Sequence, residues 1–220
     1  MLRLKQGSLV MSTAMVWGAS GGIGTALVKR LADEGWTVLS VARDGGAVTY
    51  LTSDVVEADV EDPDSVREAV RRAEELVGEV DLWIYAVGDI ASAKVGEMSL
   101  DEWERILAAN LNGAYLAAHH SLSLLASDAH LLFLGAVSER LRLPGLAAYA
   151  SAKAGLEAFA EVLRKEQRGR RVSVVRPKAV DTELWNKVPF SVPHGAMHAA
   201  EVAERVLQAY REGHSGVLNL

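Results

Sequence analysis

The 220-residue chain has no cysteine, which excludes a disulfide framework, a thiolate nucleophile and a Cys-ligated metal, and suits a reducing cytoplasm. Basic residues never gather into a block and the formal charge is −6, so neither nucleic acid nor an anionic membrane surface is an expected partner. No run of about 18 apolar residues occurs, and the opening MLRLKQGSLVMSTAM builds no secretory signal. Residues 1–13 read as a loose leader before one domain over 14–220. Half of the residues are hydrophobic, enough for a single buried core. What these absences leave is a cytoplasmic domain built around a small-molecule site.

Short β-like runs alternate with helical periods, the pattern of parallel βαβ units. A first strand is expected at Met15–Trp17, then TVLSVA (37–42), DVVEADV (54–60), VDLWIYAV (80–87), His130–Leu134, Val172–Val175 and Gly216–Leu220. Between them, Ile23, Leu27 and Leu31 mark one buried helix face that Gly35 terminates. Asp62-Pro63 caps a second helix carrying Val66, Val70, Ala73 and Val77. Ser99 and Glu102 have capping-box spacing at the head of a long helix through Leu125, apolar on more than one face. A helix with Tyr149 and Lys153 and a last one over Val202–Tyr210 complete the pattern. The reading is α/β: a doubly wound Rossmann fold with a seven-stranded parallel sheet flanked by helices, its ligands at the carboxyl ends of the strands.

WGASGGIGTAL places Gly18, Gly22 and Gly24 between the first strand and the first helix. Glycines there let backbone N–H groups approach a diphosphate resting on the positive end of the helix. Further stations follow: Asp59-Val60, AVG at 86–88, Asn110 in NLNG, YASAK at 149–153 and RPKAVDT at 176–182. In order and spacing this set resembles the short-chain dehydrogenase/reductase family over Met15–Leu220. The resemblance implies that Ser20, Gly21, Gly22, Ile23 and Gly24 wrap the diphosphate and that Asp59 and Val60 meet the adenine. It further implies that Ala86, Val87 and Gly88 pass beneath the adenine ribose, and that Pro177, Val180 and Thr182 hold the nicotinamide carboxamide. Two positions depart from the family pattern, Tyr85-Ala86 where asparagine is usual and Lys178 where glycine follows the proline.

The end of the second strand selects the cofactor. A carboxylate there binds both ribose hydroxyls, whereas a guanidinium attracts a 2′-phosphate. Ala42 occupies the position of the NAD-selective aspartate and Arg43 follows it, so NADP(H) is expected to be preferred, with NAD(H) possible. Tyr149 and Lys153, at i and i+4, share a helix face, where an ammonium would stabilise the phenolate. Tyr149 is the expected general acid for carbonyl reduction. By resemblance, Lys153 also holds the nicotinamide ribose and Asn110 anchors a water in a proton relay.

The family's serine belongs at position 136, where this chain has Ala136 after Gly135, and Ser138 comes two residues late. Either the segment 139–143 is arranged so that Ser138 reaches the substrate oxygen, or the reaction proceeds without that hydroxyl, as in dihydropteridine reductase, to which the Gly-Ala pair is similar. Three readings follow: an NADP(H)-dependent carbonyl reductase, a pterin or quinonoid reductase without the serine, and a catalytically weak NADP(H)-binding sensor. Trp185, Phe190 and Met197 fall in the variable lid, either lining an apolar pocket or packing the loop down. His194 and His198 lack a third ligand, so no metal is expected. The helices over 99–125 and 149–165 would pair in a homodimer or homotetramer.

Overall fold

The computed structural model describes residues 2–5, 8–52 and 54–220, with 2–5, 8–10 and 138 described by their backbone. Seven strands form one sheet: β1 (Thr13–Trp17), β2 (Thr37–Ala42), β3 (Val55–Glu57), β4 (Val80–Tyr85), β5 (Leu125–Leu134), β6 (Arg171–Arg176) and β7 (Gly216–Asn219). Their order is β3-β2-β1-β4-β5-β6-β7 and every pairing is parallel. The chain reverses direction across the sheet between β1 and β4, and this switch opens the crevice in which a doubly wound sheet binds its ligand.

Helices cover both faces. On one side lie α1 (Gly22–Asp33) and α6 (Ala199–Arg211), whose Leu27, Val28, Leu31, Val202 and Val206 pack under Val16, Leu82 and Leu132. On the other lie α2 (Pro63–Leu76), α4 (Gly113–Ser121) and α5 (Ala147–Glu166), meeting Trp83, Tyr85 and Phe133 through Val66, Val70, Ala117, Leu156 and Ala160. Burial of the sheet on both faces explains why its strands read as continuous apolar runs rather than alternating ones. Gly35 ends α1 at φ 75°, its N–H on the Ala32 carbonyl at 2.9 Å, a left-handed turn that suits glycine.

Three expectations change. The first strand begins at Thr13, inside the segment read as a leader, because the Asp81 carboxylate accepts the Thr13 N–H at 2.9 Å. Ahead of it, Leu2–Lys5 and Ser8–Met11 pair as an antiparallel hairpin. The third strand shortens to Val55–Glu57, and the helix expected over 99–125 ends at Ser121.

That last helix is also interrupted. A short α3 (Leu100–Leu107), opened by the Ser99/Glu102 capping box, passes into a π turn at Ala108–Asn112 before α4. Two side chains replace donors that a regular helix would have used: Tyr85 Oη donates to the Ala109 carbonyl at 2.7 Å, and Asn110 Nδ2 donates to the Ile106 carbonyl at 2.8 Å. The Gly113 N–H reaches back to Ala108 instead. Beyond Ser121 the chain turns so that Val80 N–H meets the Leu124 carbonyl at 3.0 Å, which draws Leu125 into β5 beside β4.

Candidate active site

Glycine is required at the first turn by contact. Gly18 has φ 79°, and a Cβ on it would lie 2.8 Å from the Val87 backbone nitrogen; on Gly24 it would lie 2.0 Å from the Gly18 carbonyl oxygen. The β1–α1 turn therefore presses against the end of β4, and the N-terminus of α1 faces the crevice between them. Thr182 closes the same turn from the β6 side, for its Cγ2 would sit 2.8 Å from a Cβ on Gly22.

The resulting cleft is lined by Gly18, Ser20, Arg43, Asp59, Val60, Ala86, Val87 and Gly88, all expected from sequence. Gly21, also within the stretch expected at the diphosphate, lines it too, as do Trp17, Asp89 and Lys187, which were missed. Asp89 and Lys187 are 98 positions apart and carry no local signature. Of the other expected residues, Gly24 and Thr182 pack the turn, and Gly22, Ile23, Pro177 and Val180, like them, stand outside the cleft wall. Asp59 organises its own loop: its Oδ1 accepts the Glu61 N–H at 3.0 Å while its N–H donates to Ser65 Oγ. Arg43 stands exposed at the tip of β2 after the buried Ala42.

Tyr149 and Lys153 lie buried on α5. Lys153 Nζ donates to the Leu134 carbonyl at 2.9 Å, at the end of β5, and lies 5.7 Å from the Tyr149 ring centre. Gly88 brings the groups together, since a Cβ there would be 3.3 Å from Asn110 Oδ1 and 3.8 Å from Lys153 Nζ. Asn110 sits on the π turn with Nδ2 donating to Asp89 and Ile106 carbonyls at 2.7 and 2.8 Å. Two carbonyl acceptors fix which end of the amide is nitrogen, and Oδ1 is left buried without a donor. A buried acceptor of this kind calls for a proton-bearing guest.

Burial, rather than mutual attraction, sets the protonation of the pair. It pushes Tyr149 up to about 12 and Lys153 down to about 8, because each charged form loses its hydration.

At the position of the family serine, Ala136 offers no hydroxyl, and its carbonyl accepts Arg176 Nε at 3.1 Å. Arg176 also pairs with Glu139 and Glu157, so one guanidinium fastens the whole segment after β5. Ser138 opens a 3-10 turn through Leu141, and its side chain lies outside the described residues. Around Tyr149, Ile90, Ala91, Ile106 and Leu146 form an apolar cluster, with Trp103, Leu184 and Val188 against it. The lid residues named from sequence contribute otherwise: Trp185 Nε1 donates to the Val180 carbonyl at 2.8 Å, Met197 pairs in register with Val180, and Phe190 is exposed.

The chain and its fold have known relatives. The chain is 31% identical over 192 residues to the 3-oxoacyl-[acyl-carrier-protein] reductase MabA of Mycobacterium tuberculosis, a match covering 86% of this chain and 77% of that protein. An alcohol dehydrogenase from the archaeon Thermococcus sibiricus, solved in complex with 5-hydroxy-NADP, superposes with TM-score 0.86 at 25% identity over 96% of both chains. A short-chain dehydrogenase/reductase from Serratia marcescens shares the fold at TM-score 0.85 and 24% identity, over 95% of this chain and 96% of that one. With the short chain dehydrogenase family model matching residues 12–190, the chain belongs to the short-chain dehydrogenases/reductases, a family of NAD(P)-dependent oxidoreductases.

Proposed function

We propose that the protein is an NADP(H)-dependent reductase of a small carbonyl compound, with Tyr149 as general acid. The observation that carries this reading is the approach of Lys153 Nζ and the donor-less Asn110 Oδ1 to Gly88, which lines the glycine-rich cleft, with the Tyr149 ring centre 5.7 Å from the same Lys153 Nζ. The cleft fits a dinucleotide: glycines clear space for a diphosphate at the α1 N-terminus, and Arg43 follows Ala42 where a selective carboxylate would stand. Ser20 and the turn would hold the diphosphate, Arg43 the 2′-phosphate, Asp59 and Val60 the adenine, and Pro177, Val180 and Thr182 the carboxamide. When bound, the cofactor supplies the hydride. The complex of the Thermococcus sibiricus relative with an NADP analogue supports the phosphorylated form.

The residues of the chain do the rest. With its pKa pushed up to about 12, Tyr149 is a protonated phenol at neutral pH and can give that proton to a developing alkoxide. Lys153, at about 8, remains largely an ammonium there, so it can donate to a bound ribose hydroxyl and stabilise the phenolate left when the Tyr149 proton passes to the alkoxide. Asn110 Oδ1 accepts a water that re-protonates the pair. The Ile90–Ile106–Leu146 cluster keeps bulk water from the reacting carbonyl. A serine-free variant of this chemistry, acting on a pterin or quinonoid, is favoured by one feature, the hydroxyl-less Ala136 held by Arg176.

The family habit of pairing through these helices suits the outer faces of α4 and α5. Tyr115 and Val162 are half exposed there, and Tyr115 packs edge-on to Phe159 at 6.0 Å. We read this face as a homodimer or homotetramer contact.

The test is binding of NADPH and NADH side by side, followed by NADPH oxidation with ketones, diketones and quinones. Tighter NADPH, reversal of that preference by Arg43→Asp, and loss of turnover with retained binding in Tyr149→Phe are expected. Unchanged selectivity in Arg43→Asp, or undiminished turnover in Tyr149→Phe, would refute it.

A further inference from the structure

Asp89 follows Gly88 directly, and its carboxylate, 12% exposed, is paired with both Arg105 and Lys187. Lys187 reaches it from the Glu183–Lys187 turn, its Nζ 2.6 Å from Asp89 Oδ1. Both side chains line the same cleft as Gly18, Ser20 and Gly21. Arg105 alone can neutralise Asp89, so the half-exposed Lys187 can leave without stranding a carboxylate in a nearly buried position.

The charge of the cleft makes that release useful. The glycine turn holds no lysine or arginine, and among the described residues lining the cleft the carboxylates of Asp59, Glu61 and Asp89 stand with two cations, Arg43 and Lys187. A diphosphate brings two further negative charges to this wall. Arg43 stands at the tip of β2, where it suits a 2′-phosphate, which leaves Lys187 as the remaining lining cation. Burial together with the Arg105 and Arg43 charges holds the Lys187 ammonium below its usual pKa, a local crowding of cations that an anion relieves.

We propose that Lys187 is a ligand of the cofactor diphosphate, parked on Asp89 in the free protein and transferred to the phosphate oxygens when the dinucleotide enters. The proposal rests on the reading of the cleft as an NADP(H) site. It is tested by the dissociation constants of NADPH and NADH, measured by nicotinamide fluorescence for the wild type, Lys187→Met, Lys187→Arg and Asp89→Asn.

Loss of about one charge-assisted contact should weaken both cofactors roughly tenfold in Lys187→Met. Lys187→Arg should restore most of that, and Asp89→Asn, which removes the competing carboxylate, should weaken neither. Unchanged binding in Lys187→Met overturns the proposal. So does weakening of NADPH alone, which would place Lys187 on the 2′-phosphate, and so does equal weakening in Asp89→Asn, which would make the pair a tie for the turn. Failure of the wild type to bind either dinucleotide overturns the cofactor reading itself.

Discussion

Acid should destabilise this protein through one histidine. His130 is fully buried in β5, its Nε2 2.8 Å from Ser173 Oγ and its ring stacked on Tyr210 at 6.0 Å, with Arg171 and His214 as neighbours. Burial first, and then those two neighbours, push it down from 6.5 to about 3. The folded state therefore resists a proton that the unfolded chain accepts. The stability involved is whole above pH 6.5 and drains away as pH falls towards about 3. Between those values the limit is about 5 kcal/mol, and at pH 5 the linkage relation gives about 2 kcal/mol. Urea unfolding at pH 7.5 and pH 5.0, at one protein concentration, should show the wild type losing about 2 kcal/mol more than His130→Gln, which keeps a polar partner for Ser173 and cannot titrate. Carboxylates common to both proteins cancel in the comparison. Equal losses in the two proteins would refute the reasoning.

Gly113→Ala would place a methyl 2.6 Å from Tyr85 Oη and 2.8 Å from Val60 Cβ; the expected cost is about 1–3 kcal/mol, read by urea unfolding and partly recovered by adding Tyr85→Phe. Ser138→Ala separates the two arrangements of the segment after β5: a fall in kcat of about a hundredfold or more means that the hydroxyl polarises the substrate carbonyl, and a near-normal rate means that the reaction proceeds without it. Val162→Glu, on the half-exposed α5 face, should lower the oligomer mass seen by sedimentation at micromolar concentration while leaving the far-ultraviolet circular dichroism unchanged.

The strands were legible because a sheet covered on both faces writes each one as an apolar run, and the glycine cluster was legible because two backbones cross where no Cβ fits. The break at Ala108–Asn112 was not, since a single π turn leaves the apolar pattern of LAANLNGAYLAA nearly continuous. The start of β5 was hidden for a related reason: Ser127 and Asp128 interrupt its apolar run, and Arg170, distant in sequence, holds the Leu125 and Ala126 carbonyls at 2.8 and 3.0 Å. At the site, YASAK and Asn110 could be named in advance. Lysine-to-carboxylate reach between positions 187 and 89, and the grip of Arg176 on Ala136, depend on loops brought together by the sheet, and no spacing announces them.

Trp17 ends β1 with its indole sealed in the core, and it also forms part of the wall of the cleft proposed for the dinucleotide. Its emission overlaps the absorption of a reduced nicotinamide, so excitation of this ring should pass to a bound cofactor as resonance energy transfer. Trp36, edge-on to Tyr210 at 5.2 Å, and Trp83, stacked with Tyr85 at 6.1 Å, are absent from that wall. With Trp103 against the Tyr149 cluster and Trp185 on the Glu183–Lys187 turn as further donors, binding of NADPH as proposed would be readable in the protein's own fluorescence without any label.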